Sequence, residues 1–162
     1  MSVRPFPLFL PCLVMSAALA AQDPKPVHTV LDDWHRAAAQ ADEARYFGCM
    51  AEDAVFMGTD ATERWVKKDF QVWSHPFFAK GKAWRFKAIR RAVAFSPDGR
   101  TAWFDEDLDT PNMGPCRGTG VLSLQGDRWM IRHYNLTVPI PNALMNEVKG
   151  RIETHLKKAL VP

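Results

Sequence analysis

After a short lead bearing Pro and Lys, apolar residues recur at steps of three and four: Val27, Val30, Leu31, Trp34, Ala38 and Ala41. That spacing puts them on one face of a helix. Asp42 restarts the chain, and Tyr46, Phe47 and Met50 predict a second, shorter helix. "DAVFM" (53–57) predicts a short strand. From residue 61 the helical period returns with Val66, Phe70, Trp73 and Phe77, and Pro76 inside that stretch predicts a break or kink.

The pattern changes after residue 82. Residues 83–95 and 100–108 read as strands flanking "SPDG", with Pro and Gly where a turn favours them. Residues 116–124 and 128–138 flank "QGD", whose Gly126-Asp127 suits a two-residue hairpin loop. Three helices followed by two hairpins predict an α+β fold, a curved antiparallel sheet with the helices on one face. Pro139 and Pro141 end the last strand. Asn142 then caps a terminal amphipathic helix over 142–162 with Leu144, Val148, Ile152, Leu156 and Ala159 on one stripe.

Composition adds compartment and class. The 162 residues, 47% hydrophobic and 24% charged, suit one globular domain. Arg4, an apolar stretch and "SAALAAQ" form a secretory leader, with Ala18 and Ala20 at the spacing signal peptidase accepts. The leader is short for a span and interrupted by Pro5, Pro7 and Pro11. The expectation is a signal peptide over 1–20, a lead over 21–27, and a periplasmic or secreted protein whose intact mass starts at Ala21. No membrane span is expected after cleavage. Removing Arg4 lowers the net charge from +3 to +2, because residues 1–20 hold no Asp or Glu. That charge is no footprint for nucleic acid. Of the three cysteines, Cys49 and Cys116 stay in the processed chain, where an oxidising compartment permits a disulfide and burial permits a free thiol.

The helix, "ADEARYFGCMAEDAVFMGTDATERW" and the closing "WMIRHYNLTVPIPN" together resemble the SnoaL-like branch of the nuclear transport factor two-like superfamily, in a secreted subfamily. The resemblance covers about residues 28 to 142, with the domain placed at 28–141 ahead of the terminal helix. It implies a cone-shaped sheet around an internal pocket, usually in a homodimer, and no single activity, since this cone serves both enzymes and non-catalytic binders. The position at which steroid isomerases of this fold carry an aspartate base falls on Gly58, which argues against that chemistry.

Candidate chemistry is sparse. The histidines show no HExxH spacing, no CxxC or G-x-S-x-G is present, and "RGTG" lacks the rest of a dinucleotide loop, so neither metal nor cofactor is expected. Asp60-x-x-Glu63 has the form of a capping box at a helix start, with Trp65 beside it as a pocket-lining aromatic. In "WFDEDLD", folding about "SPDG" puts Arg90 opposite Asp105 and Lys87 opposite Leu108, ordinary cross-strand pairing. Alternation leaves Glu106 on the face of Phe104 and Leu108, where desolvation raises a carboxyl pKa toward general acid or base duty. In the last hairpin, Leu124 faces Trp129 and Leu122 faces Ile131. Continuing that register puts Gly120 opposite His133 and Gly118 opposite Asn135. The glycines either leave space beside polar groups or let the sheet bend and an aromatic pack over them. The first alternative predicts catalytic His133 and Glu106, with Trp34, Trp65, Asn135, Gly118 and Gly120 around a small apolar or amphipathic ligand. The rival is a cone filled by side chains in a non-catalytic dimerisation or interaction module.

Overall fold

The computed structural model describes residues 22–159. The predicted leader, residues 1–20, lies outside the described residues. Helix α1 spans Lys25–Ala39 and buries Val27, Leu31, Trp34, His35, Ala37 and Ala38. It ends where Ala41 turns to φ 55° and the Asp42 amide bonds back to the Ala37 carbonyl at 2.9 Å. Asp42 then caps α2 (Glu43–Gly48), accepting from the Arg45 amide at 3.1 Å. This satisfies one of the free amides that open a helix.

Strand β1 (Met50–Met57) begins earlier than expected, and β2 (Arg64–Val66) occupies the place where a helix start is predicted. The sequence "GTDATER" is therefore a hairpin turn, with Phe56 opposite Trp65 and Met57 opposite Arg64. Within it Asp60 accepts from the Thr62 amide at 2.8 Å, and Glu63 reaches back to the Asp60 amide at 3.2 Å. The carboxylates bond locally as a capping box would, but they close a turn between strands. The helix, α3 (Lys67–Ala79), starts later and runs through Pro76 without a break.

The sheet continues with β3 (Lys87–Phe95), β4 (Thr101–Thr110), β5 (Gly114–Gln125) and β6 (Arg128–Thr137), in spatial order β2-β1-β6-β5-β4-β3. It is a curved, unclosed sheet, and it is mixed because β1 pairs with β6 in parallel. The all-antiparallel expectation fails at that pair: a long connection through α3 and both hairpins brings β6 alongside the first strand. Gln125 pairs with Arg128 around a two-residue Gly126-Asp127 loop, Gly126 at φ 63° supplying the left-handed backbone such loops require. The β3–β4 loop is displaced by one residue from "SPDG", because the Ser96 amide bonds the Thr101 carbonyl at 2.9 Å. The register accordingly shifts by two residues at Arg90, which faces Asp107, and at Arg91, which comes opposite Glu106, while a bulge between Ala88 and Arg90 cuts the shift to one at Lys87, which faces Asp109.

Cys49 and Cys116 are both free thiols, the first half-buried and the second buried. Burial, with the Asp33 charge behind it, pushes the Cys49 thiol up to about 11. A terminal helix, α4 (Met145–Ala159), forms, but it starts after a 3-10 turn over Asn142–Leu144 instead of at an Asn142 cap, and its stripe stays open: Leu144, Ile152 and Leu156 are 48%, 51% and 57% exposed. No helix among the described residues is long and apolar enough to cross a membrane.

Candidate functional site

The concave face of the sheet is set by a bulge in β6. Leu124 opposite Trp129 and Leu122 opposite Ile131 follow the simple hairpin register. Between Ile131 and His133 the register then shifts, leaving Arg132 without an opposite residue in β5. Arg132 turns out to an ion pair with Asp53. One extra residue reverses every later side chain. Gly120 therefore faces Tyr134, and Gly118 faces Leu136. Tyr134 and Leu136 are buried, while His133 and Asn135 pair with Val121 and Thr119 on the other face and are half-exposed. The expected meeting of His133 and Asn135 with Glu106 does not occur.

The two glycines hold no empty space. A Cβ at Gly118 would collide with the Tyr134 hydroxyl, and one at Gly120 with the His133 carbonyl and the Phe104 ring. They are small so that aromatic rings can lie over the strand, the second of the two readings of the sequence. Trp34 is likewise core, 2% exposed, stacked on Tyr46 at 4.9 Å and edge-on to Tyr134 at 4.6 Å. Trp34 Nε1 and Tyr46 Oη have no hydrogen-bond partner among the described residues.

Glu106 lies fully buried at the centre of a network of four side chains from four elements. His35 Nε2 of α1 is 2.7 Å from Glu106 Oε1, and the Tyr134 hydroxyl of β6 donates to the same oxygen at 3.2 Å. Arg91 Nε of β3 donates to Oε2 at 2.8 Å. Arg91 Nη1 continues to Asp32 Oδ1 at 2.9 Å, tying the sheet to α1 a second time. Burial pushes the Glu106 carboxyl up, but the hydrogen bond and charge of His35, with the Arg91 guanidinium, hold it below its ordinary value. Desolvation alone predicts a raised pKa; the partners reverse the sign. For Tyr134, burial and then the Glu106 charge push the phenol well above the ordinary range, so it stays a neutral donor. The network is a charged clamp whose carboxylate is fully buried, while His35 and Asp32 border a pocket at the surface.

An aromatic-lined cavity lies elsewhere, at the mouth of the cone, where the β1–β2 turn, α3 and the segment before β3 meet. Its volume is about 160 Å³. Phe56, Trp65, Trp73, Trp84, Phe86 and Leu136 form most of the wall. Trp65 belongs to this wall and stacks on Trp73 at 4.8 Å. Glu63 contributes the one carboxylate, lying over Gly58, where a Cβ would collide with it. No Lys, Arg or His belongs to the wall. No group of His, Cys, Asp and Glu among the described residues is arranged to hold a metal ion.

Sequence reasoning missed His35, Arg91 and Tyr134. His35 sits one step after Trp34 on the buried face of α1, a position the period flags as core. Arg91 requires the displaced β3–β4 register, and Tyr134 requires the bulge.

The family of SnoaL-like domains matches residues 27–141. No curated protein matches the chain. Among solved structures, an NTF2-like protein of unknown function from Pseudomonas putida aligns at 13% identity and TM-score 0.59, over 73% of this chain and 87% of that one. A protein of unknown function with a cystatin-like fold from Nostoc punctiforme aligns at 12% identity and TM-score 0.61, over 75% and 94%. A protein from Parabacteroides distasonis bearing a provisional ketosteroid-isomerase name aligns at 15% identity and TM-score 0.59, over 77% and 94%. At these identities the likeness is one of fold.

Proposed function

Because the chain belongs to the SnoaL-like family, whose shared feature is a cone rather than a reaction, we propose a function from its own cavity: this protein binds a small apolar or amphipathic molecule at the aromatic mouth of the cone. The observation that carries the reading is a cavity of about 160 Å³ with aromatic walls and a single carboxylate. Apolar walls with few polar groups are the usual make-up of a small-molecule site. The volume is close to the ~150 Å³ that accepts one benzene ring, so it takes a ring or a compact head group, with any remainder of the ligand outside. Export to the periplasm or beyond, inferred from the leader pattern at residues 1–20, puts that ligand in the extracytoplasmic space.

The interior clamp does not extend this to acid–base catalysis. Glu106 is held ionised by His35 and Arg91, and it is absent from the cavity wall. A general base must come within hydrogen-bond reach of the proton it takes. The reading is tested by ligand-observed NMR with toluene, alongside native mass spectrometry of protein isolated from its host. Saturation transfer to toluene, or a copurifying small molecule, is the expected result; neither signal would sink the reading. A rival, in which the filled cone serves a homodimer, draws support from Trp103, 49% exposed on the face of β4 away from the clamp.

A further inference from the structure

The cavity's one charged group narrows the class of ligand. Glu63 is half-buried, and its carboxylate accepts the Asp60 amide at 3.2 Å. Among the described residues it has no cation within ion-pair distance, whereas Glu106, Asp33, Asp53 and Asp107 each have an arginine. The geometry of the turn holds it in place. Gly58 lacks the Cβ that would occupy the carboxylate's position, and the Gly58 amide bonds the Glu63 carbonyl at 2.9 Å. An unpaired carboxylate therefore borders a chamber walled mostly by rings, with Met113 and Leu136 between them.

Three kinds of guest can be weighed against that chamber. A neutral apolar guest fills the space but strips water from Glu63 and returns no counter-charge. A primary ammonium supplies the charge but brings three N–H donors, and apart from Glu63 the wall is almost entirely apolar side chains. An N-methylated ammonium supplies the charge, and its methyl groups need no hydrogen bonds. It also offers a positive surface to ring faces, for which Trp is the best partner. Trp65, Trp73 and Trp84 all belong to the wall.

Resting on the binding function proposed above, we infer that the ligand carries a quaternary or N-methylated ammonium group, seated among Trp65, Trp73 and Trp84 with Glu63 as its counter-ion. The cavity volume of about 160 Å³ admits such a head and leaves a substituent to project through the mouth.

The test compares choline with 3,3-dimethylbutan-1-ol, which has the same shape with carbon in place of the charged nitrogen. Binding is followed by tryptophan fluorescence on the full processed chain. Choline is expected to bind at least tenfold more tightly. Glu63→Gln is expected to weaken choline at least tenfold and to abolish its advantage over the alcohol, with circular dichroism confirming the fold. If the two ligands bind equally, or E63Q leaves choline unaffected, the cationic assignment is overturned while apolar binding stands. If neither ligand binds and toluene also fails, the cavity is no binding site and both readings fall. Should E63Q not fold, a KCl series on the native chain decides: choline affinity that does not fall with salt overturns the assignment.

Discussion

The centre of the cone and its mouth each hold a carboxylate among aromatic rings. At the centre, Glu106 meets His35, Arg91 and Tyr134, each from a different element, and is fully buried. At the mouth, Glu63 meets one backbone amide and faces an open cavity. The first has every feature by which an active-site carboxylate is recognised except access. Its partners satisfy both oxygens and fix it in the ionised form, so what it contributes is a bond between α1 and the sheet. The second is less conspicuous and has its valence left over. A buried charge marks a site when it lacks partners, and a clamp when it has them.

Breaking the clamp gives the largest expected effect. Glu106→Gln removes the charge that Arg91 and His35 face, and losing one member of a buried pair costs ~3–5 kcal/mol. The lower end applies here, because Arg91 keeps Asp32 as a partner. Denaturant midpoints measure the loss, and toluene affinity of the folded fraction should not change. The same pair predicts a pH dependence. The folded carboxyl lies below its ordinary value of 4.5, so the stabilisation is complete above that pH and is lost as pH falls through 4.5 toward the folded value. Arg91→Met should flatten this acid-side loss in thermal melts taken between pH 6 and 3. A normal midpoint for E106Q, or a wild-type chain that gains stability on acidification across that range, would break the contrast drawn between the two carboxylates.

The contrast also explains what could be read from the chain and what could not. Helix α1, both hairpins and the inward position of Glu106 follow from periodicity and turn residues, because each depends on neighbours a few positions away. The roles expected of His133 and Asn135 depend on a register carried across eight residues of β6, and one bulged residue, Arg132, is enough to reverse them. The β3–β4 register errs by two, which keeps faces intact but conceals that Arg91, not a neighbour, meets Glu106. The approach of Glu63 to Gly58 depends on a turn that reads equally well as a helix cap.

A middle-sized effect separates a filled centre from an empty one. If Gly120 bordered free space, Gly120→Ala would be tolerated. In the structure the added methyl meets the His133 backbone carbonyl and the Phe104 ring, and the carbonyl, part of the β5–β6 pairing, has little room to move. Overpacking of this kind costs ~1–3 kcal/mol. Urea unfolding of G120A measures it, and a variant as stable as the parent would show that the centre has room for a ligand after all.

The smallest effect compares two exposed tryptophans. Trp73 is 42% exposed on α3 and belongs to the cavity wall; Trp103 is 49% exposed on the sheet face away from the clamp. Replacing either with Leu removes a similar, partly solvated ring. Trp73→Leu also loses the stack on Trp65, an aromatic pair worth ~0.5–1.5 kcal/mol, while Trp103→Leu should stay within ~0.5 kcal/mol, as surface changes usually do. Binding should separate them more clearly. Loss of one wall ring at ~1 kcal/mol is about a fivefold drop in affinity for toluene, and the Trp103 variant should bind like the parent. Sedimentation of the same two proteins tests the rival dimer reading. If W103L shifts the oligomeric state while W73L leaves ligand affinity untouched, the functional surface is the outer sheet and the mouth of the cone is packing.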